Sequence, residues 1–241
     1  MIISLWSGPR NLSTAMMYFF AHRGDFKVID EPFFGAFLKK YELWRPSRDI
    51  ALATMETDPL LIHQNIENQA KEGPIFLKNI ANHLPLIDAE QAKKWKHLIL
   101  FRHPGLVIQS YRKQMAEYSL FDLAYKEQYE WLLHLESQGI KPYLIDSSKL
   151  LENPEAEINA LCRHLEIPFT KTMLNWPAGA LKEDGVWAPY WYARVHQSTG
   201  FTARPESLQF PEEIQEEEVY KESLHYFKLL KKAHHEQIQH C

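Results

Sequence analysis

Five short apolar segments recur along the first two thirds of the chain, and stretches with helical spacing separate them. The segments are IISLW at 2–6, FKVI at 26–29, IFLKN at 75–79, HLILF at 97–101 and PYLI at 142–145. Apolar runs of this length are typical of buried strands, and their alternation with helices indicates a parallel sheet. The sequence therefore predicts a three-layer α/β/α fold with a central parallel sheet of about five strands.

The pattern becomes irregular after residue 165. Prolines and aromatic residues interrupt the region 170–210, which we interpret as a long functional loop region and call the late segment. Helical spacing resumes after Pro211, with Tyr220, Leu224, Phe227 and Leu230 on one stripe. We interpret residues 1–241 as a single domain that ends in a helix over 211–241, and an amphipathic final helix suits either a monomer or a homodimer.

Composition and charge narrow the class of protein. The chain has 241 residues, 45% of them hydrophobic, which is enough for a sizeable core. A formal net charge of −4 provides no overall basic field for nucleic acid or an anionic membrane, so we expect neither as a partner. The two cysteines form no disulfide framework, and the apolar N-terminus is too short to span a membrane, so we expect a cytoplasmic protein.

Histidines near the C-terminus raise the question of a metal site. His234 and His235, together with His240 and Cys241, cluster at the end of the chain. No convergent ligands appear elsewhere in the sequence, so a polar helix end explains them better than zinc does. We expect no metal site.

The loop SGPRNLST at 7–14 joins the first strand to the first helix. This layout offers backbone N–H groups and the positive end of a helix to an anion. An ATP-type P-loop has Lys before its Ser or Thr, but Leu12 occupies that position here. The cation is Arg10 instead, whose guanidinium can bind two oxygens of a phosphate or sulfate. The loop therefore favours an anion site that needs no metal, although Ser13 and Thr14 are also ordinary helix-capping residues.

Three segments together resemble the sulfotransferases that use 3′-phosphoadenylyl sulfate (PAPS). PRNLST resembles their 5′-phosphosulfate loop, and FRHPGLVIQSY, with Arg102 and Ser110, resembles their 3′-phosphate site. Residues 142–169 are similar to a structural strand-and-helix signature of the family. The resemblance spans most of 2–169 and implies a P-loop NTPase-like fold of the soluble bacterial type, with PAPS as donor, 3′-phosphoadenosine 5′-phosphate (PAP) as product and no required metal.

The resemblance also implies which residues bind the donor. Arg194 in the late segment is the candidate that closes over the 3′-phosphate, with Lys182 as second choice. The full implied donor set is Gly8, Pro9, Arg10, Asn11, Leu12, Ser13, Thr14, Arg102, Ser110 and Arg194.

Sulfuryl transfer also needs a base and fixed cations. Arg10 and Lys78 are the candidate cations at the reacting group, where charge builds on the sulfuryl oxygens and the leaving group. Glu31 after the second strand resembles the catalytic glutamate of several family members, and its ordinary interpretation is a carboxylate near a helix start before Pro32. His83 in NHLP is the competing base.

The aromatic residues between 180 and 205 suggest a wall for the acceptor or a lid over the donor. The favoured function is sulfuryl transfer from PAPS to a hydroxyl or amine of a small-molecule acceptor. Two alternatives stay open at this point. One is a P-loop nucleotide kinase or NTP hydrolase in which Asp30 binds magnesium, and the other is a non-catalytic nucleotide-binding protein of the same fold.

Overall fold

A five-stranded parallel sheet forms the centre of the molecule. The structure is a computed structural model, and it describes residues 1–239. The strands follow the order β2-β3-β1-β4-β5. Their bounds are β1 Ile2–Ser7, β2 Lys27–Asp30, β3 Ile75–Ile80, β4 Lys96–Phe101 and β5 Tyr143–Asp146. All six residues of β1 are buried, as expected for the central strand of a sheet covered on both faces.

Helices flank the sheet. They are α1 Ser13–Arg23, α2 Phe34–Tyr41, α3 Arg48–Thr54, α4 Pro59–Gln69, α5 Ala89–Ala92, α6 Pro104–Tyr111, α7 Leu120–Leu123, α8 Tyr125–Ser137, α9 Ser147–Glu152, α10 Pro154–Leu165, α11 Ala188–Trp191, α12 Ala193–His196, α13 Glu212–Glu216 and α14 Glu218–Gln239. Two 3₁₀ helices, Ala81–Leu86 and Lys171–Leu174, complete the set. The predicted α/β fold with a parallel five-stranded sheet is thereby confirmed.

Aromatic packing fixes the helices to the sheet. Phe20 of α1 stacks on Phe76 of β3 with ring centroids 4.0 Å apart, and Phe101 of β4 contacts Phe227 of α14. Burial of side chains of this size is the main stabilising term for such a core. No helix within residues 1–239 combines the length and apolar character needed to cross a membrane.

The C-terminal helix differs from its prediction. The sequence predicts one helix over 211–241, but α13 ends at Glu216 and α14 begins at Glu218. Glu217 between them has extended backbone, and its carboxylate accepts a hydrogen bond from Tyr118 and lies 3.5 Å from Arg112. These contacts favour the break that periodicity alone could not reveal. Residues 240 and 241, which the metal interpretation involved, lie outside the described part of the chain.

The late segment contains a closed loop. Asn175 and Gly200 form an antiparallel bridge, and Phe201 N donates to the Leu174 carbonyl at 3.0 Å. Gly200 has a φ of 144°, and a Cβ there would lie 2.4 Å from the Leu174 oxygen, so only glycine fits this closure. The bridge brings the two ends of residues 176–199 together, and we call this stretch the closed loop.

Candidate functional site

A cavity of about 460 Å³ lies at the carboxyl ends of the strands. Ligands bind in this position in open parallel sheets, because the loops after the strands converge there. The cavity walls come from the loop after β1, the residues after β2 and β4, the 3₁₀ helix after β3, and the closed loop. Among the predicted site residues it is lined by Pro9, Arg10, Asn11, Leu12, Ser13, Thr14, Glu31, Lys78, His83, Arg102, Ser110 and Arg194.

The loop after β1 presents the start of α1 to this cavity. Arg10 and Leu12 have positive φ values of 61° and 70°, which turn the chain sharply before the helix begins at Ser13. Leu12 occupies the N-cap position, and no side chain of the described residues caps the helix. Ser13 and Thr14 are therefore not the capping residues that the ordinary interpretation required. The first N–H groups of α1 lack helical partners and are available to an anion.

Gly8 and Asn11 shape the loop from behind. A Cβ at position 8 would lie 2.5 Å from the carbonyl oxygen of Leu123, so glycine is required by the close approach of α7. Gly8 is not among the residues that line the cavity, which separates it from the other donor-loop residues of the prediction. Asn11 is buried, and its side chain donates to the Leu100 carbonyl, which fixes the loop to β4.

Arginines converge on one end of the cavity, which we call the arginine end. Arg10 donates to Ser110 Oγ at 2.9 Å and to the Trp191 carbonyl at 2.8 Å, while Arg102 donates to the Arg10 carbonyl at 2.9 Å. Burial lowers the pKa of Arg10, and the nearby charges of Arg194 and Arg102 lower it further. Three guanidinium groups this close together create a strong local preference for an anion.

A carboxylate of the protein already contacts Arg102. Glu206 in the late segment accepts hydrogen bonds from Nε and Nη2 of Arg102, the first at 2.8 Å, and its other oxygen accepts from Ser148 Oγ at 3.0 Å. The Glu206 side chain is only 7% exposed. Arg102 thus sits in a pocket that binds two oxygens of one anionic group. Sequence reasoning singled out neither residue, because Glu206 lies outside the motifs and Ser148 lies in a stretch interpreted as structural.

A buried cluster of four side chains, which we call the lysine cluster, borders the cavity: Asp30, Glu31, Lys78 and Tyr192. Three oxygens surround Lys78 Nζ, namely Glu31 Oε1 at 2.5 Å, Tyr192 Oη at 2.5 Å and Asp30 Oδ1 at 3.0 Å. Tyr192 in turn donates to Asp30 Oδ2 at 2.8 Å. Glu31 does not act as a helix cap, since Phe33 is the N-cap of α2 and Glu31 pairs with Lys78.

The backbone at Glu31 directs this carboxylate toward Lys78. Glu31 has a φ of 42°, its N–H donates to the Lys78 carbonyl at 2.8 Å, and its own carbonyl accepts from Phe34 N. A non-glycine residue in this region is uncommon and is found at functional sites. The backbone at Glu31 therefore has a conformation found in neither helices nor strands.

The two candidate bases have opposite pKa shifts. Burial raises the pKa of Glu31 to about 7; Lys78 lowers it in part and Asp30 raises it. Burial lowers the pKa of His83 to about 3, and the positive charges of Lys78 and Arg45 add to this effect. A general base is most effective with a pKa near the working pH. The geometry and the pKa values therefore favour Glu31, while His83 lines the cavity as a neutral imidazole.

Aromatic and charged side chains complete the wall near the lysine cluster. Trp187 packs edge-on against Phe34, and Trp191 stacks on Tyr111. The ion pair between Arg45 and Asp122 also lines the cavity, as does Arg204. Sequence reasoning did not include Arg45, Asp122 or Arg204, which lie outside the motifs.

Lys182 is exposed beside Glu183 and does not line the cavity. Its position does not support its proposed role as the second candidate to close over the 3′-phosphate.

Fold and site together define an α/β protein with a cationic anion-binding cavity at the carboxyl ends of a parallel sheet. Asp30, the candidate magnesium ligand of the kinase alternative, is paired with Lys78 and Tyr192. Within residues 1–239 there is no group of three or more His, Cys, Asp or Glu side chains placed to bind a metal ion. A family model described as a sulfotransferase domain matches residues 1–234, and the chain belongs to this family.

The curated relatives carry names that do not refer to sulfotransferases. The chain is 40% and 39% identical over 204 residues to branched-chain-amino-acid aminotransferase-like proteins 2 and 1 of Arabidopsis thaliana. The match covers 84% of this chain but only 36% and 37% of those proteins, so the chain spans about a third of their length.

Two solved sulfotransferase domains share the fold. One comes from the curacin biosynthetic pathway, with a TM-score of 0.57, 17% identity and coverage of 94% of this chain and 97% of that one. The other comes from the Synechococcus PCC 7002 olefin synthase, with a TM-score of 0.54, 15% identity and 94% coverage of both chains. The predicted sulfotransferase family is confirmed, and it is favoured over the kinase and hydrolase alternatives.

Proposed function

We propose that this protein transfers a sulfuryl group from PAPS to a hydroxyl or amine of a small-molecule acceptor. One observation supports this above all others: Arg10, Arg102, Arg194 and the Glu31 carboxylate line a single cavity. The arginine end suits a donor with phosphates at both ends, and a carboxylate with a pKa of about 7 suits removal of a proton from the acceptor.

The residues at the arginine end fit the two anionic groups of PAPS. The Glu206 carboxylate supports this fit, because Arg102 donates to one of its oxygens and Ser148 Oγ donates to the other. In our proposal Arg102 and Ser110 bind the 3′-phosphate, while Arg10 and the start of α1 bind the 5′-phosphosulfate. Bound PAPS supplies the sulfuryl group. Arg10 stabilises the charge that develops on the leaving phosphate, because its guanidinium is fixed before the reaction begins.

The acceptor binds between the aromatic wall and the lysine cluster in this proposal. Glu31 takes the proton of the acceptor hydroxyl or amine, and the aromatic side chains of Trp187, Trp191 and Phe34 exclude water from the reacting group. The neutral imidazole of His83 forms part of the wall around the acceptor in this proposal. We further propose that the acceptor is the principal partner, with no nucleic acid or membrane involved, in a cytoplasmic monomer or homodimer.

The names of the larger relatives describe aminotransferase-like proteins, and this chain matches about a third of each. We propose that the matched part of those relatives is a sulfotransferase portion. The cavity described above does not require an aminotransferase function for this chain.

Thermal-shift and transfer measurements test the proposal together. PAP with EDTA should raise the melting temperature, because a ligand that binds only the folded state stabilises it by mass action. ATP with magnesium should raise it less. Transfer of ³⁵S from labelled PAPS should then be measured on panels of alcohols, phenols and amines. Stabilisation by ATP with magnesium but not by PAP would contradict the proposal, and PAP binding without transfer to any acceptor would support the non-catalytic alternative.

A further inference from the structure

The lysine cluster contains two side chains, Asp30 and Tyr192, that the proposed reaction does not use directly. Asp30 ends β2 beside Glu31, and Tyr192 belongs to the closed loop. Both are buried, and only Tyr192 of the two lines the cavity. Asp30 therefore influences the cavity through its neighbours.

Lys78 is held by three oxygens of the protein. All three lie within 3.0 Å of Nζ, and two of them, Glu31 Oε1 and Tyr192 Oη, accept hydrogen bonds from it. Asp30 Oδ1 is paired with the ammonium by charge at 3.0 Å. The Lys78 side chain is only 2% exposed. These contacts direct the ammonium toward the cluster, and the sequence-based role of Lys78 as a second cation at the transferred group stays a prediction.

Asp30 is held in place by its contacts. It accepts hydrogen bonds at Oδ2 from Tyr192 Oη at 2.8 Å and from Gly185 N at 2.9 Å, and its Oδ1 lies 3.0 Å from Lys78 Nζ. Tyr192 is fixed by Trp187 Nε1, which donates to Tyr192 Oη at 2.9 Å. The carboxylates of Asp30 and Glu31 therefore both lie within 3.0 Å of the Lys78 ammonium.

We propose that Asp30 and Tyr192 are positioning residues that hold the Lys78 ammonium away from the sulfuryl group and share its charge, so that Glu31 remains free to accept the acceptor proton. This inference rests on the proposed sulfotransferase function. When the acceptor oxygen or nitrogen forms its bond to sulfur and the bond from sulfur to the phosphate oxygen breaks, the acceptor proton moves to a Glu31 oxygen. The cluster then carries one positive and one negative charge, from Lys78 and Asp30.

The charged groups around Glu31 support this arrangement. Besides Asp30, Lys78 and Tyr192, the Tyr111 hydroxyl of α6 is within electrostatic range of Glu31, and the pKa of Tyr111 is raised to about 12, mainly by burial. His83 faces Lys78 and stays neutral, since its pKa is lowered to about 3 by burial and by Lys78. Asp30 is consequently the neighbouring negative charge that favours protonation of Glu31.

Titration of Glu31 tests the inference without relying on catalysis. The carboxyl groups of ¹³C-glutamate-labelled protein are followed by NMR over a pH series, and the signal absent in Glu31→Gln identifies Glu31. In Asp30→Asn we expect the pKa of Glu31 to fall by about one unit, because a like charge at this distance has been removed. Glu127→Gln is the matched control: Glu127 also has a pKa of about 7 but does not line the cavity. It should leave the Glu31 titration unchanged.

Kinetics provide the second measurement. The acidic limb of kcat against pH should move down by the same amount in Asp30→Asn, and Tyr192→Phe should lower kcat about tenfold with little change in the acceptor KM. An unchanged Glu31 pKa in Asp30→Asn would overturn the inference. So would undiminished kcat in Tyr192→Phe, since Lys78 would then not need its fixed position. If the wild type transfers no sulfuryl group, the proposed function fails, but the NMR titration still decides whether Asp30 tunes Glu31.

Discussion

The arginine end and the lysine cluster both pair a cation with carboxylates, but their surroundings differ. Lys78 and its carboxylate partners lie at the ends of β2 and β3, and three oxygens of the protein lie within 3.0 Å of its ammonium. Arg102 and Glu206 are also mostly buried, with side chains 13% and 7% exposed, but Glu206 comes from a part of the late segment without regular secondary structure. A buried charge depends on its partner, so Glu206 can leave Arg102 only when another anion takes its place. The lysine cluster therefore suits a permanent structural role, and the arginine end suits a site in which a ligand replaces the carboxylate of the protein.

Removal of the proton acceptor should have the largest effect. Glu31→Gln should lower kcat by about 10²- to 10⁴-fold while leaving the dissociation constant of PAP unchanged, because Glu31 pairs with Lys78 and not with the arginines of the proposed donor site. Steady-state transfer assays and isothermal titration with PAP measure the two quantities. Glu127→Gln should retain the wild-type rate. A Glu31→Gln protein with full activity would point to His83 as the base.

Loss of the buried cation should have the next largest effect, on stability. Lys78→Met leaves Asp30 and Glu31 buried without their counter-ion, so the free energy of unfolding should fall by about 3–5 kcal/mol. Urea denaturation at pH 8 measures this change. Lys182→Met removes an exposed lysine of the late segment and should change stability by less than about 0.5 kcal/mol. Equal effects of the two substitutions would mean that the buried Lys78 contributes no more to stability than an exposed lysine does.

Truncation at the arginine end should weaken ligand binding. Arg102→Ala should cost PAP about 1–3 kcal/mol of binding free energy, which is typical of a lost hydrogen bond to a charged group. Binding should not depend on added magnesium. Arg112→Ala, which removes a half-exposed arginine that pairs with Glu217 outside the cavity, serves as control. An unchanged dissociation constant in Arg102→Ala would exclude Arg102 from the donor site.

Neutralisation of the internal carboxylate should have the smallest effect and the opposite sign. Glu206→Gln should tighten PAP binding about fivefold, or roughly 1 kcal/mol, because the ligand no longer competes with a charged partner of Arg102. Titration calorimetry with the exposed-site variant Glu212→Gln as control measures this difference. Weaker binding in Glu206→Gln would mean that Glu206 orients Arg102 instead of competing for it.

The sequence predicted the sheet because each strand is a compact apolar run, and buried parallel strands show this pattern most clearly. It also predicted Arg10, Arg102 and Ser110, since loops after parallel strands meet at one edge. Tyr192 and Glu206 were harder to place, because their partners are more than 50 residues away in the chain and no local pattern encodes such contacts. The break at Glu217 escaped prediction because charged residues with good helix propensity surround it.

The pairing of Asn175 with Gly200 brings the two ends of the closed loop, residues 176–199, side by side. A loop of this kind can be exchanged for one of different length without moving the sheet. The closed loop contains Trp187, Trp191 and Tyr192, which line the cavity where we propose that the acceptor binds. Grafting the closed loop between members of the family should therefore change both acceptor preference and donor binding, because the loop also contains Arg194 and the Trp191 carbonyl that accepts from Arg10.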